Sequence, residues 1–213
     1  MLACRVYSED WDVDSRLQTF GVTRAELIEV VRGVVGARAD ATDDDPVSAE
    51  GLFAYIYGTR YLRGLFRPKK WIRHRQENIE SVRHPEKNLR IIYQSVDVAA
   101  SKFQDPRAIS GKGSGADRII DAAQGSLFTE EQLADAKAVK VAPVDSGVWF
   151  FCVSVDGDNV RAELSLPSSI DGKNFNGFLE RIFVVRDGEW TELSPRGEIE
   201  VDAVEFEPIV TRK

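Results

Sequence analysis

The sequence is poor in the residues that usually make a site legible. Its 213 residues include two cysteines, two histidines and one methionine. Cys4 and Cys152 stand far apart in unlike surroundings, so neither a disulfide framework nor a cysteine-built zinc centre is expected. Cys152 lies in the apolar run at 148–155 and reads as a buried residue, not a nucleophile. Both histidines, His74 and His84, fall in one short stretch, and no G-x-S-x-G accompanies them, which leaves serine-hydrolase chemistry without its parts. No apolar run approaches the roughly 20 residues that span a bilayer. The opening residues turn acidic within ten positions, unlike a secretory leader. The expectation is a cytoplasmic protein with no membrane segment, no metal and no cofactor. Internal repeats and low-complexity tracts are also missing.

What the chain does have is charge, unevenly spread. The stretch 58–90 carries ten basic residues (Arg60, Arg63, Arg67, Lys69, Lys70, Arg73, Arg75, Arg83, Lys87 and Arg90) against Glu77, Glu80 and Glu86, a local net charge of +7. The whole chain carries −7, so the remainder must carry −14. A basic island in an acidic protein points to an anionic partner. Arginine outnumbers lysine seven to three there, which favours bidentate phosphate contacts and stacking. Trp71 and Tyr61 are interleaved with the cations, as stacking faces for a single strand would be. The candidate nucleic-acid-binding set is Arg60, Arg63, Arg67, Lys69, Lys70, Trp71, Arg73, His74 and Arg75. The plainer expectation is a solvated surface that pairs with the chain's own acids or with an acidic partner protein.

The pattern of apolar residues predicts an α+β protein, a mainly helical N-terminal half (1–87) followed by a mostly antiparallel β half (88–213), the two forming one compact domain or two small ones. Residues 1–20 read as a short strand or an irregular arm. Thr23 and Glu26 make a capping box ahead of apolar positions 27, 28, 30, 31, 34 and 35, which is a helix start. Ser48 is placed to cap a second helix that Pro68 ends. On that helix Arg60, Arg63 and Arg67 fall within an arc of about 60°. Residues 69–82 read as a third helix with Trp71, Ile72, Ile79 and Val82 as its stripe. Residues 88–98 read as a strand. Residues 148–155 are apolar on both faces and predict a central strand, joined through a turn at 156–159 to a half-buried strand at 160–166. Asp187-Gly188 predicts a two-residue turn pairing 178–186 with 189–193. A last strand is expected at 199–206.

Weaker chemical signals remain. The run at 110–117 places Gly111, Lys112, Gly113, Ser114 and Gly115 ahead of an expected helix, where backbone amides can cradle an anion. It is not a Walker loop, because Gly113 follows the lysine where serine or threonine belongs; the glycine spacing also fails the dinucleotide fingerprint. A flexible connector is its plain reading. Arg67 and His74, six residues apart, satisfy the spacing of the arginine–histidine pattern of HEPN ribonucleases. Pro68 and the β-rich second half fit that helical bundle poorly, so chance spacing is expected. Asp158 with Asp171-Gly172-Lys173 faintly resembles the acid–acid–lysine set of metal-dependent nucleases. The leading expectation is a non-enzymatic binding or adaptor protein that contacts nucleic acid through a basic helical patch. A subunit that engages an acidic protein is the competing one, and a nuclease is the third.

Overall fold

The computed structural model describes residues 4–109, 146–171 and 174–193. Its centre is a seven-stranded mixed sheet in the order β1-β9-β6-β5-β4-β3-β2. The strands are β1 (Arg5–Tyr7), β2 (Ile72–Gln76), β3 (Ile79–Arg83), β4 (Leu89–Ser95), β5 (Gly147–Asp156), β6 (Asn159–Pro167) and β9 (Phe178–Val185). A separate two-stranded ribbon pairs β7 (Ile170–Asp171) with β8 (Asn174–Phe175). The helices are α1 (Asp10–Gln18), α2 (Arg24–Ala39), α3 (Ala49–Phe66) and the single turn α4 (Trp190–Leu193).

Strand β5 sits at the middle of the sheet and is buried over nearly its whole length, as its two-faced apolar pattern predicts. Alternate side chains go to opposite sides. Trp149, Phe151 and Val153 join the large core with α1, α2 and α3, whereas Val148, Phe150 and Cys152 join a smaller cluster with Ile92, Val96 and Ala99. Phe175 on the ribbon closes that second cluster, its ring 5.0 Å from Phe150 and edge-on to it. The centre of the sheet is therefore covered on both faces.

The expected fold needs correcting on its arrangement. The protein is α+β and its long helices are N-terminal, but one sheet spans both halves of the chain, and it contains parallel pairs. β1 runs parallel to β9 with Tyr7 opposite Ile182, and β4 runs parallel to β5 with Ile91 opposite Trp149. A purely C-terminal antiparallel meander is excluded.

The helix starts follow their local chemistry. Thr23 and Glu26 form the predicted capping box, the Thr23 amide donating to Glu26 Oε2 at 2.8 Å. α3 runs to Phe66, and Arg67–Lys69, with Pro68 inside it, tightens into a 3₁₀ turn. The predicted third helix is absent. Residues 69–82 instead supply that turn and the β2–β3 hairpin, with Gln76 opposite Ile79. Glu77 and Asn78 both take positive φ, 51° and 62°, the geometry of a type I′ turn, whose twist matches that of the strands it joins. The predicted hairpin across Asp187-Gly188 is absent too. Gly188 has a φ of 77°, but the Glu189 carboxylate accepts the Arg186 amide at 2.7 Å and the chain enters α4, which buries Trp190. The apolar pattern does not announce α1; two acids in its first turn and the buried trio Val13, Arg16 and Leu17 make it. The strand expected at 199–206 lies outside the described residues.

Two glycines set how closely the helices approach. A Cβ on Gly58 of α3 would sit 2.4 Å from the ring of Tyr93 on β4, and one on Gly33 of α2 would sit 2.3 Å from the ring of Tyr61 on α3. Tyr93 is buried at 3% exposure and has nowhere to go, whereas Tyr61 is 39% exposed and can swing outward. Gly58→Ala is expected to destabilise the fold by about 1–3 kcal/mol through overpacking. In Gly33→Ala the better helix propensity offsets most of the clash. Urea denaturation of the two variants reads the contrast; equal losses would contradict this account of the packing.

Candidate nucleic-acid interface

The basic island folds into one end of the molecule: the C-terminal part of α3, the 3₁₀ turn, the β2–β3 hairpin at the sheet edge, and the start of β4. The arc of arginines on α3 divides its duties. Arg60 is exposed and lies over the Tyr57 ring, 4.4 Å from its centroid. Arg63 turns toward the hairpin and pairs with Glu80. Arg67 follows the last helical turn, where the helix dipole favours a cation. Lys69 reaches back to α2 and bonds Glu26 at 2.9 Å. That bond and the Thr23 amide hold the Glu26 carboxyl below its ordinary range. Lys70 stands exposed in the left-handed region at a φ of 69°.

On β2, alternation sends Arg73 and Arg75 to the helix side of the sheet, where their opposite numbers are Val82 and Glu80. Arg75 donates to Asn78 Oδ1 at 2.9 Å and lies 3.6 Å from Glu80, while Arg73 is exposed, with no carboxylate against it among the described residues. His74 takes the other side, its Nδ1 3.3 Å from Ser81 Oγ. Trp71 is 4% exposed, its ring between Phe66 and His84 at 4.6 and 5.3 Å. Its aromatic surface is taken up by the core, and Tyr61 is left as the interleaved ring that solvent reaches.

The balance of pairing is the notable quantity. Among the described residues, Arg63, Lys69 and Arg75 of the ten island cations have a carboxylate within 4 Å; Arg60, Arg67, Lys70, Arg73, Arg83, Lys87 and Arg90 have none. Most of the island's charge therefore has no counter-charge among the described residues. The island includes Arg83 and Arg90, but the candidate set drawn from the sequence does not. They are register partners on β3 and β4, a juxtaposition that sequence spacing alone does not reveal.

The remaining candidates fare differently. Arg67 opens the 3₁₀ turn after α3 while His74 is in mid-β2, so the two do not share the helical setting of the ribonuclease pattern. Asp158 is an exposed turn residue, and Lys173 lies outside the described residues, as do Gly111, Lys112, Gly113, Ser114 and Gly115. Among the described residues no group of three histidine, cysteine or acidic side chains is placed to hold a metal ion, and no helix is long and apolar enough to cross a membrane.

A buried polar cluster, missed by the sequence reading, occupies the sheet face away from the helices. Glu163 is fully buried, and Arg181 grips it with two bonds, Nε to Oε1 at 2.9 Å and Nη2 to Oε2 at 2.7 Å. Ser165 donates to Oε1 at 2.6 Å and the Ala100 amide donates to Oε2 at 2.5 Å. A carboxylate has about four lone-pair sites, and here all are taken. The Arg181 guanidinium also lies over Phe178 and Phe183, and its Nη1 meets Asp105 at 3.1 Å. Such a saturated group holds structure and offers no base to a substrate. The 160–166 segment, expected to be half-buried, is covered on both sides for this reason.

No protein-family model, no curated protein and no solved structure matches this chain.

Arg181→Met leaves a fully buried carboxylate without its counter-charge, so stability should fall by about 3–5 kcal/mol. The paired change Glu163→Met with Arg181→Met should recover much of that loss. Denaturation midpoints of the three proteins test it, and a single variant as stable as the parent would show the pair to be dispensable.

Proposed function

We propose that the protein is a non-enzymatic binding protein whose basic sheet edge contacts nucleic acid. One observation carries the reading: seven cations of the 58–90 island have no carboxylate partner among the described residues, in a chain whose net charge is −7. Unpaired cations gathered at one end keep their charge for a partner, and a polyphosphate chain releases condensed counterions when it meets them. Arginine forks and the exposed rings of Tyr55 and Tyr61 add stacking that tolerates any base sequence. Nothing in this surface carries a base-reading code, so affinity should follow charge and strand form, not sequence.

A second reading has its own observation. Leu52, Tyr55 and Ile56 on α3 are 53, 41 and 39% exposed and lie at helical spacing. An apolar stripe running into a cationic helix end suits an acidic protein partner with an apolar anchor.

Binding of labelled single- and double-stranded DNA and RNA at two salt concentrations separates the readings. Nucleic-acid binding should weaken steeply with salt. Replacing Arg60, Arg67, Lys70 and Arg73 by glutamine should lower the log–log salt slope by about 0.7 for each single-strand phosphate that no longer meets a cation. An unchanged affinity and slope in that variant would refute the assignment, and no binding at low salt would favour the protein partner.

A further inference from the structure

The seven cations that meet no carboxylate among the described residues do not all lie on one side. Alternation along β2 and β3 puts His74, Ser81 and Arg83 on the sheet face away from the helices, and the register places Arg90 of β4 directly opposite Arg83. Two like charges facing each other across neighbouring strands oppose folding unless something sits between them. Among the described residues no carboxylate answers either guanidinium. Arg90 Nη1 donates to Gln76 Oε1 at 2.5 Å, but the Nε atoms of both Arg83 and Arg90 are buried without an acceptor among the described residues. His74 completes the group from β2. Arg83 from β3 and Arg90 from β4 are the charged groups that act on its ring among the described residues, and Ser81 is the polar group bonded to it.

We propose that Arg83, Arg90 and His74 form a phosphate subsite on this second face, and that His74 takes up a proton when a phosphate group enters. The inference rests on the nucleic-acid reading for its natural ligand, but the chemistry is that of any phosphate oxyanion. Two planar guanidiniums supply forked donors that match phosphate oxygens, and the orphaned Nε groups gain acceptors. Burial, then the charges of Arg90 and Arg83, hold the free imidazole below its ordinary value. An anion between the arginines cancels that repulsion and raises the imidazole back. The sign follows directly: the bound state holds more protons, so affinity rises as pH falls through the interval between the bound and free titrations. A nucleic acid on the helix side would thus cross the sheet edge to reach a second, proton-sensitive contact.

The test uses the full chain. With two histidines in the protein, a His84→Gln variant assigns the His74 ring signals in NMR. The His74 titration is followed alone, with tripolyphosphate, and with a single-stranded oligonucleotide, while affinities for both ligands are measured from about pH 5 to 8, the range in which histidine changes charge. Either ligand should move the His74 midpoint upward, and affinity should climb by up to ~10-fold per pH unit on acidification. His74→Gln should flatten that dependence while leaving the fold intact. Arg83→Gln with Arg90→Gln should raise the free midpoint and weaken binding several-fold; if that pair fails to fold, the His74→Gln comparison and the parent titrations decide alone. A midpoint unmoved by tripolyphosphate, or a pH dependence that survives in His74→Gln, overturns the subsite. Oligonucleotide binding with His74 unmoved keeps the nucleic-acid reading and removes this inference. Tripolyphosphate moving His74 with no oligonucleotide binding does the reverse.

Discussion

Strand β9 carries the constraint on which the architecture depends. Its neighbours Glu180 and Arg181 are both buried at 3% exposure, and the pleat sends them to opposite faces. Glu180 meets Arg16 of α1 at 2.8 Å, and Arg16 also lies over Phe20 and Trp149. Arg181 meets Glu163 of β6, whose carboxylate also holds the Ala100 amide. One dipeptide therefore ties the helical layer to one side of the sheet and the 96–109 segment to the other. A buried charge without its partner costs several kcal/mol, so each pair rejects any docking that would separate its members. Apolar packing supplies most of the burial; these pairs select one arrangement of it.

The basic edge obeys the opposite rule. At the centre these buried charges are matched, and at the end formed by α3, β2, β3 and β4 most charges meet no carboxylate among the described residues. Among the described residues the island's cations meet Glu26, which caps α2 and holds Lys69, and Glu80, which Arg63 and Arg75 share. Charged side chains on an edge strand also discourage pairing with the edges of other molecules. That is a second use for Arg73 and Arg75 whatever they bind.

How much could be read from the chain depended on whether the deciding interaction was local. The capping box at Thr23 and Glu26, the stop at Pro68 and the two-faced apolar run of β5 are local, and each appears where expected. The β2–β3 hairpin was hidden because Glu77-Asn78 is a poor turn signal and because Trp71, Ile72, Ile79 and Val82 mimic helical spacing. Asp187-Gly188 misled in the other direction, since the Glu189 side chain captured the Arg186 amide and started a helical turn. The parallel pairs β1–β9 and β4–β5 have no turn to announce them. For the site, the island itself was plain in the charge count. Which cations share a face was not, because Arg83 and Arg90 meet through a register that the unrecognised hairpin sets.

The place of β1 bears on how the chain reaches this state. Residues 5–7 pair with 180–182, so an edge strand made ahead of the helices waits for the last described strand to be made. During synthesis α1 and α2 leave the ribosome long before β5, β6 and β9 exist to cover them. Until then Leu17, Leu27, Val31 and Val34 have no sheet centre to pack against. Such long-range closure slows folding relative to a helical bundle of equal size and leaves apolar surface open in the interim. The nascent N-terminal helices thus wait, apolar faces open, for a sheet made from the later part of the chain.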